Sequence, residues 1–473
     1  MKDLNYYLDK FGVTLALMQS LVSEGLGCGG SWCDLYFEDS SFADLLLRDS
    51  KVSAGGRHTD YGCGIRVLNG DKTGYAYCES TDAKALSSAA RAAAGIAAGP
   101  AAGFPRDTRV LQVPDRYPMR RDWRGCDMAG FVPLLEDIEK RIRSKESSVF
   151  KVVAMLSWQV SDILMFNSLG EVSFDTRPMG SITVSVVFRR GDLTENKTAS
   201  RSFRCGVEML GPELVEELSS MAVDGIDARF EARRPKGGKM KVVMGAGASG
   251  ILLHEAMGHA FEADFNRKGQ SIFADKMGRK VCRPGINIID DGTIDGNRGA
   301  CNFDDEGVPG QKTYMVTDGI LTSYLHDRIS ATHYGVAPTG TGRRESFRYN
   351  PIPRMRATYM DSGGDGTLED LLKLAGDGIY VDQFANGEVK IGEGDFTFFV
   401  KSGYLIEGGR LTMPVKDINI IGNGPKALAD IEAVAGDLKI DDGTWTCGKE
   451  QSAYVSCGIP SVLVNNLTVG GGE

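Results

Sequence analysis

The chain has 473 residues, of which 25% are charged and 42% hydrophobic, with a net charge of -9 and an isoelectric point near 5.3. That length accommodates two or three domains, each able to bury a core, and the composition is that of a globular protein. The acidic balance argues against a general affinity for nucleic acid or for an anionic membrane.

Met1-Lys2-Asp3-Leu4-Asn5 lacks the basic start and apolar run of a secretory signal. Apolar stretches such as Ala89 to Ala98 are too short and too alanine-rich to span a bilayer. The expectation is therefore a cytoplasmic protein. Its ten cysteines are too sparse for a disulfide scaffold and are expected to be thiols.

In chain order, Leu15 to Leu26 reads as a helix, and Trp32 to Phe37, Asp44 to Arg48 and Cys63 to Leu68 read as strands. Asn69-Gly70 offers a tight turn into Gly74 to Cys78. A helix follows from Asp82 to Ala98, with Ser80, Thr81 and Asp82 available to cap it. Gly99 to Asp127, rich in proline and arginine, reads as a linker. A helix from Phe131 to Lys145 leads into predicted strands at Val149 to Val160, Ile163 to Asn167, Val172 to Asp175 and Ile182 to Arg189, and Pro212 to Ala232 reads as an amphipathic helix. Helices before and after runs of strands, without βαβ alternation, indicate an α+β class.

Proline, glycine and charge collect in Arg233-Arg234-Pro235-Lys236-Gly237-Gly238. This predicts a boundary between an N-terminal α+β domain, 1–235, with subdomains 1–100 and 127–235, and a β-rich C-terminal domain, 236–473. Short strands are expected there at Lys239 to Met244, Ile286 to Ile289, Phe396 to Lys401, Gly403 to Ile406 and Asp417 to Ile421, with a metal-binding helix inserted among them.

Two signatures compete for Met240 to Asp264. Gly245-Ala246-Gly247-Ala248-Ser249-Gly250 matches a dinucleotide fingerprint, but no strand ends in an acidic residue about 20 positions later to hold a ribose. The glycines then read as a tight turn into a helix. His254 and His259, two of only five histidines, bracket Glu255 in an HExxxH pattern. In a regular helix the two imidazoles would stand about 140° apart and could not share an ion. A π-bulge brings positions i and i+5 into line, and Gly258 makes such a distortion cheap. A distorted helix between Glu255 and His259 is therefore predicted. A catalytic zinc site takes three protein ligands, and the candidates for the third are Glu262, Asp264 and Cys447, the last in Thr446-Cys447-Gly448-Lys449, where the lysine would favour the thiolate. Spacing does not choose among them.

The stretch GASGILLHEAMGHAFEADFNRKGQS, Gly247 to Ser271, resembles the active-site helix of the metal-bearing branch of the TldD/PmbA peptidase family. Further similar segments are Gly62 to Ser80, Asp304 to Ala331, Gly340 to Ser346, Arg354 to Gly363, Gly403 to Pro425 and Thr446 to Gly471. The resemblance implies a zinc (Zn2+) peptidase in which His254, His259 and Cys447 bind the metal and Glu255 is the general base. It also implies a dimer, either of this chain or with a metal-free PmbA/TldE-like paralogue, enclosing a cavity in which unfolded peptides or small proteins are degraded. Two segments depart from the family pattern: CGKEQ at Cys447 to Gln451, and Arg354-Met355-Arg356-Ala357-Thr358 where Arg-Met-Thr-Asn-Thr is more common.

On this reading Glu262 and Asp264 are supports rather than ligands, and Arg343, Arg344 and Tyr359 are candidates for transition-state stabilisation. His58, His326 and His333 are expected to be packing residues. Two other classes compete: a non-catalytic interaction subunit with a structural zinc or none, and a nicotinamide enzyme using Gly245 to Gly250. Glu255 argues against the first, since a structural site has no use for a base beside its ligand. The missing ribose anchor argues against the second.

Overall fold

The computed structural model describes residues 2–105 and 107–470; Arg106, in the expected linker, and Gly471, at the end of the last similar segment, lie outside them. The N-terminal strands are far longer than their apolar runs suggest. Trp32–Arg48, Lys51–Asn69, Val149–Asn167 and Glu171–Arg190 each run for 17 to 20 residues. The first, third and fourth of these pass straight through polar segments that read as breaks in the sequence.

The reason is a polar belt across the sheet. Ser40 lies opposite Ser161, Asp39 opposite Asp162, and Asp162 opposite Thr176. The Ser40 hydroxyl donates to Glu38, and buried Asp162 takes the Thr176 hydroxyl and the Lys10 and Arg124 side chains. Paired in this way, buried polar groups do not terminate a strand. To one side of the belt Leu35, Phe37, Ile65 and Phe166 pack with Phe11, Leu21 and Leu86 from the helices Leu4–Phe11, Leu15–Gly25 and Ala83–Ala94. To the other side Leu47, Leu156 and Val184 pack with Leu135, Ile138 and Leu218 from Val132–Lys145 and Pro212–Val223.

The sheet runs in the order Lys72–Cys78, Lys51–Asn69, Trp32–Arg48, Val149–Asn167, Glu171–Arg190, with Leu193–Phe203 beside the last. The Asn69-Gly70 turn forms as expected, with Gly70 at φ 63°. Leu193–Phe203, unforeseen because its first half is polar, pairs along its whole length with Glu171–Arg190. The expected helix to Ala232 is instead two, Pro212–Val223 and Ile226–Glu231, because Gly225 between them takes φ 74°.

In the C-terminal half, Gly378–Val389, Gly238–Met244, Val462–Gly470, Asn419–Asn423 and Asp395–Glu407 are neighbours in that order, and the last pairs back with the first. The ring is therefore a closed barrel, which leaves no free edge within it. A second sheet contains Ile288–Asp291, Ala357–Met360 and Ser456–Ile459. Helices flank runs of strands in the N-terminal half and short helices punctuate the strands of the C-terminal half, a mixed arrangement of the α+β class. Among the described residues no helix is long and apolar enough to cross a membrane.

The turn after Gly238–Met244 starts the inserted helix and wedges it against the second sheet. A Cβ on Gly250 would stand 2.7 Å from the Gly458 backbone. Gly250→Ala is expected to lower the melting temperature, at a cost on the order of 1–3 kcal/mol for overpacking. Gly103→Ala, with nothing within 4 Å of its Cβ, should stay within about 0.5 kcal/mol of wild type. Scanning calorimetry of the two variants measures the difference.

Candidate metal centre

The helix that carries the histidines changes its winding where the spacing demands it. Ile251–Leu253 is α-helical, His254–Gly258 is a π turn, and His259–Phe261 is a 3-10 turn that ends at Glu262, whose ψ of 125° breaks the rod. The predicted distortion is present, and it sets the two imidazole rings 5.2 Å apart. Gly258, however, has ordinary helical angles, φ -58° and ψ -48°. Glycine is needed there for another reason: a Cβ would lie 2.1 Å from the Met355 sulfur.

Cys447 reaches the same point from a hairpin, Thr446–Lys449 paired with Gln451–Tyr454. Its Sγ lies 3.1 Å from His259 Nε2. Donor atoms of His254, His259 and Cys447 all fall within 4.8 Å of one another, and the residues are 0%, 6% and 4% exposed. Burial opposes a charged sulfur, but the His254 and His259 imidazoles beside it bring the Cys447 pKa down to about 4. His259 moves the other way, to about 10: burial disfavours its charge, but Glu262 and the Cys447 sulfur outweigh it. Among the described residues neither ring nitrogen of His254 has hydrogen-bond geometry with a partner, although the ring is close enough to act on the sulfur. An imidazole buried with both nitrogens unsatisfied is costly, and a metal ion would satisfy one of them. Two imidazoles and a thiolate are a donor set suited to zinc.

Glu262 stands behind this cluster. It accepts from His259 Nδ1 at 2.8 Å and leaves Nε2 facing the sulfur. Lys449 Nζ is 3.1 Å from Glu262 and 2.7 Å from Asp264. Despite full burial, Lys449, His259 and Arg354 hold the Glu262 pKa at about 2. Lys449 thus serves the two carboxylates rather than the thiol beside it in sequence. Arg354, 3.9 Å from Glu262, donates to the carbonyls of Lys449, Gln451 and Cys447 and so fastens the hairpin to the helix. No sequence signal marks this role, since the acceptors are backbone groups 93 to 97 residues away.

Glu255, with 26% of its side chain exposed, reaches out of the apolar helix, and its carboxylate is 3.8 Å from His259 Nε2. The other candidates lie elsewhere. Arg344 is buried against Asp34, Arg343 donates to the Met355 and Tyr454 carbonyls, and Tyr359 donates to Asp291. Neither arginine is a solvated surface group, and none of the three belongs to the histidine–cysteine cluster. Of the histidines expected to pack, only His326 is buried, against Tyr324 and Tyr334, where burial lowers its pKa to about 4; His58, stacked on Phe42, and His333, edge-on to Tyr334, are exposed. The glycines of the apparent dinucleotide fingerprint serve packing: a Cβ on Gly245 would meet the Tyr380 hydroxyl at 2.5 Å, and Gly247 has φ 96°.

Two imidazoles, a thiol and a carboxylate at their rim, on an α+β frame, make a candidate centre of the metallohydrolase class. Residues 237–471 match the family model described as PmbA/TldA metallopeptidase C-terminal domain, and residues 33–97 match PmbA/TldA metallopeptidase domain 1. A Haemophilus influenzae protein named metalloprotease TldD homolog is 36% identical over 448 residues, 93% of each chain. A Saccharolobus solfataricus zinc metalloprotease TldD homolog is 31% identical over 293 residues, 62% of this chain and 65% of its own. Among solved structures, TldE from Thermococcus kodakarensis shares the fold, with a TM-score of 0.71 at 19% identity over 96% of this chain and 100% of its own. The chain belongs to the PmbA/TldD metallopeptidase family.

A carboxylate that orients a ligating histidine typically contributes 10–100-fold to metal affinity. Glu262→Gln is expected to weaken zinc binding by about that factor, measured by competition with a chromophoric chelator. Unchanged affinity would show that Glu262 does not orient the ring.

Proposed function

We propose that the chain is a zinc-dependent peptidase that hydrolyses unfolded peptides or small protein substrates inside a dimer cavity. The observation that carries this reading is His254, fully buried beside the Cys447–His259 pair with neither ring nitrogen partnered among the described residues. His254, His259 and Cys447 would hold the ion, which when bound polarises a peptide carbonyl and acidifies water.

The chain's own groups account for the remaining chemistry. Glu262, kept anionic by Lys449, accepts a hydrogen bond from His259 Nδ1–H and so orients the ring with Nε2 toward the cluster. Glu255 projects from the buried helix beside that nitrogen, placed to take a proton from an attacking water and return it to the departing amine. The family's metalloprotease relatives support peptide cleavage. The family resemblance implies a dimer, either of two copies of this chain or with a PmbA/TldE-like paralogue.

Glu255→Gln should retain one zinc per chain and lose roughly 10²–10⁴ of peptide hydrolysis, read from cleavage of a disordered peptide. Equal cleavage by the variant and wild type would overturn the proposed chemistry and favour a subunit with a structural metal. Native mass spectrometry is expected to show a two-chain particle; a fully active single chain would remove the dimer cavity from the account.

A further inference from the structure

A cavity of about 360 Å³ lies between the long sheet and the C-terminal half, bounded by Tyr36, Arg177, Arg204, Arg343, Arg356 and Tyr454 among others. None of His254, Glu255, His259 and Cys447 lines it. Its volume falls in the range of small-ligand sites. It also lies behind the hairpin of the candidate centre, because Ala453, on its wall, is the cross-strand partner of Cys447.

The arginines around it divide into two kinds. Arg177 is paired with Asp175 and Asp305, Arg344 with Asp34, and Arg348 with Asp60 and Glu79. Arg204, Arg343 and Arg356, only 8%, 7% and 4% exposed, have no such carboxylate among the described residues. Arg343 uses both terminal nitrogens on backbone carbonyls. Arg204 and Arg356 donate only Nε–H, to the carbonyls of Arg298 and Gly340, and their terminal nitrogens have no hydrogen-bond partner among the described residues.

Acids on the cavity wall are already engaged. Asp305 takes Arg177 and the Arg344 N–H, Asp60 takes Arg348, and Glu345 takes the Ser452 N–H. Glu38 accepts from Ser40 and from the Phe347 N–H, and burial pushes its pKa up to about 7. Burial, then Arg356, Arg354 and Arg204, press the Arg343 pKa well down; burial lowers that of Arg204. Among the described residues Arg204, Arg343 and Arg356 form no ion pair: Arg204 lies over the Tyr117 ring, and Asp290, Asp304 and Asp305 act on Arg343 and Arg356 only from beyond ion-pair distance, so the three guanidinium groups are expensive to bury. Planar guanidinium groups with free terminal nitrogens match the geometry of a carboxylate or a phosphate.

We propose that this cavity binds an oxyanion, a carboxylate or phosphate group, held by the free guanidinium nitrogens of Arg204 and Arg356. Two sources supply that chemistry: the C-terminal carboxylate of a peptide, or a free anion. The peptide source rests on the peptidase reading, whereas the oxyanion site does not.

The test is isothermal titration calorimetry on the full-length protein carrying Glu255→Gln, with trialanine, trialanine C-terminal amide and inorganic phosphate as probes. The expected result is saturable 1:1 binding of trialanine or phosphate, weakened about tenfold or more by Arg204→Gln and by Arg356→Gln. Trialanine favoured about tenfold or more over its amide assigns the peptide terminus; phosphate binding with acid and amide alike assigns a free anion. No saturable binding of either oxyanion, or binding unaffected by both substitutions, overturns the site. Circular dichroism checks the variants; if the glutamine forms do not fold, Arg204→Lys and Arg356→Lys remove the planar fork while keeping the charge, and the same weakening is required of them. Failure of the peptidase reading would appear instead as absent hydrolysis by wild type, with this binding intact.

Discussion

The contact between Cys447 and His259 joins residues 188 positions apart, and the candidate centre exists only while that contact is held. Free cysteine and histidine side chains on two separate elements would drift apart. What holds them is a set of buried charges: Glu262 against His259, Lys449 against Glu262 and Asp264, and Arg354 across three carbonyls of the hairpin. Each of these groups is costly to bury alone and is retained only because the others are in place. The ion network is therefore the device that converts a hairpin and a helix into one site.

The same logic recurs on a larger scale. The long sheet tolerates a belt of serine and aspartate through its middle because each polar group meets a partner on the neighbouring strand or from a helix. At the face where that sheet meets the C-terminal half, Arg66 is fully buried between Asp34 and Glu306. Breaking one member of such a pair leaves an unpaired charge, so the two halves of the chain are held in a defined relation rather than merely in contact.

Much of the centre was legible in the residues themselves. The five-residue separation of His254 and His259 cannot put two rings on one face of a regular helix, so the π turn followed from geometry. Cys447 was a different matter: local sequence left it level with Glu262 and Asp264, and only the family resemblance raised it. Lys449 stands two residues from Cys447 in sequence, yet its ammonium meets Glu262 and Asp264, which no local pattern reveals. Gly258 suggests conformational freedom in the sequence, whereas the structure uses its lack of a side chain to admit Met355. In the fold, strand ends were missed wherever a polar run is satisfied by residues far along the chain, as at Glu38 to Ser41 and Ser161-Asp162. The Leu193–Phe203 strand was missed because pairing along Glu171–Arg190, rather than its own apolar content, makes it a strand.

X-ray absorption at the zinc edge on the purified, full-length protein addresses the joint ligation of one ion by helix and hairpin most directly. One sulfur neighbour at about 2.3 Å and two imidazole nitrogens at about 2.0–2.1 Å are expected, with the sulfur lost in Cys447→Ser. A zinc environment of nitrogen and oxygen alone in wild type, or a sulfur neighbour that survives Cys447→Ser, would contradict it.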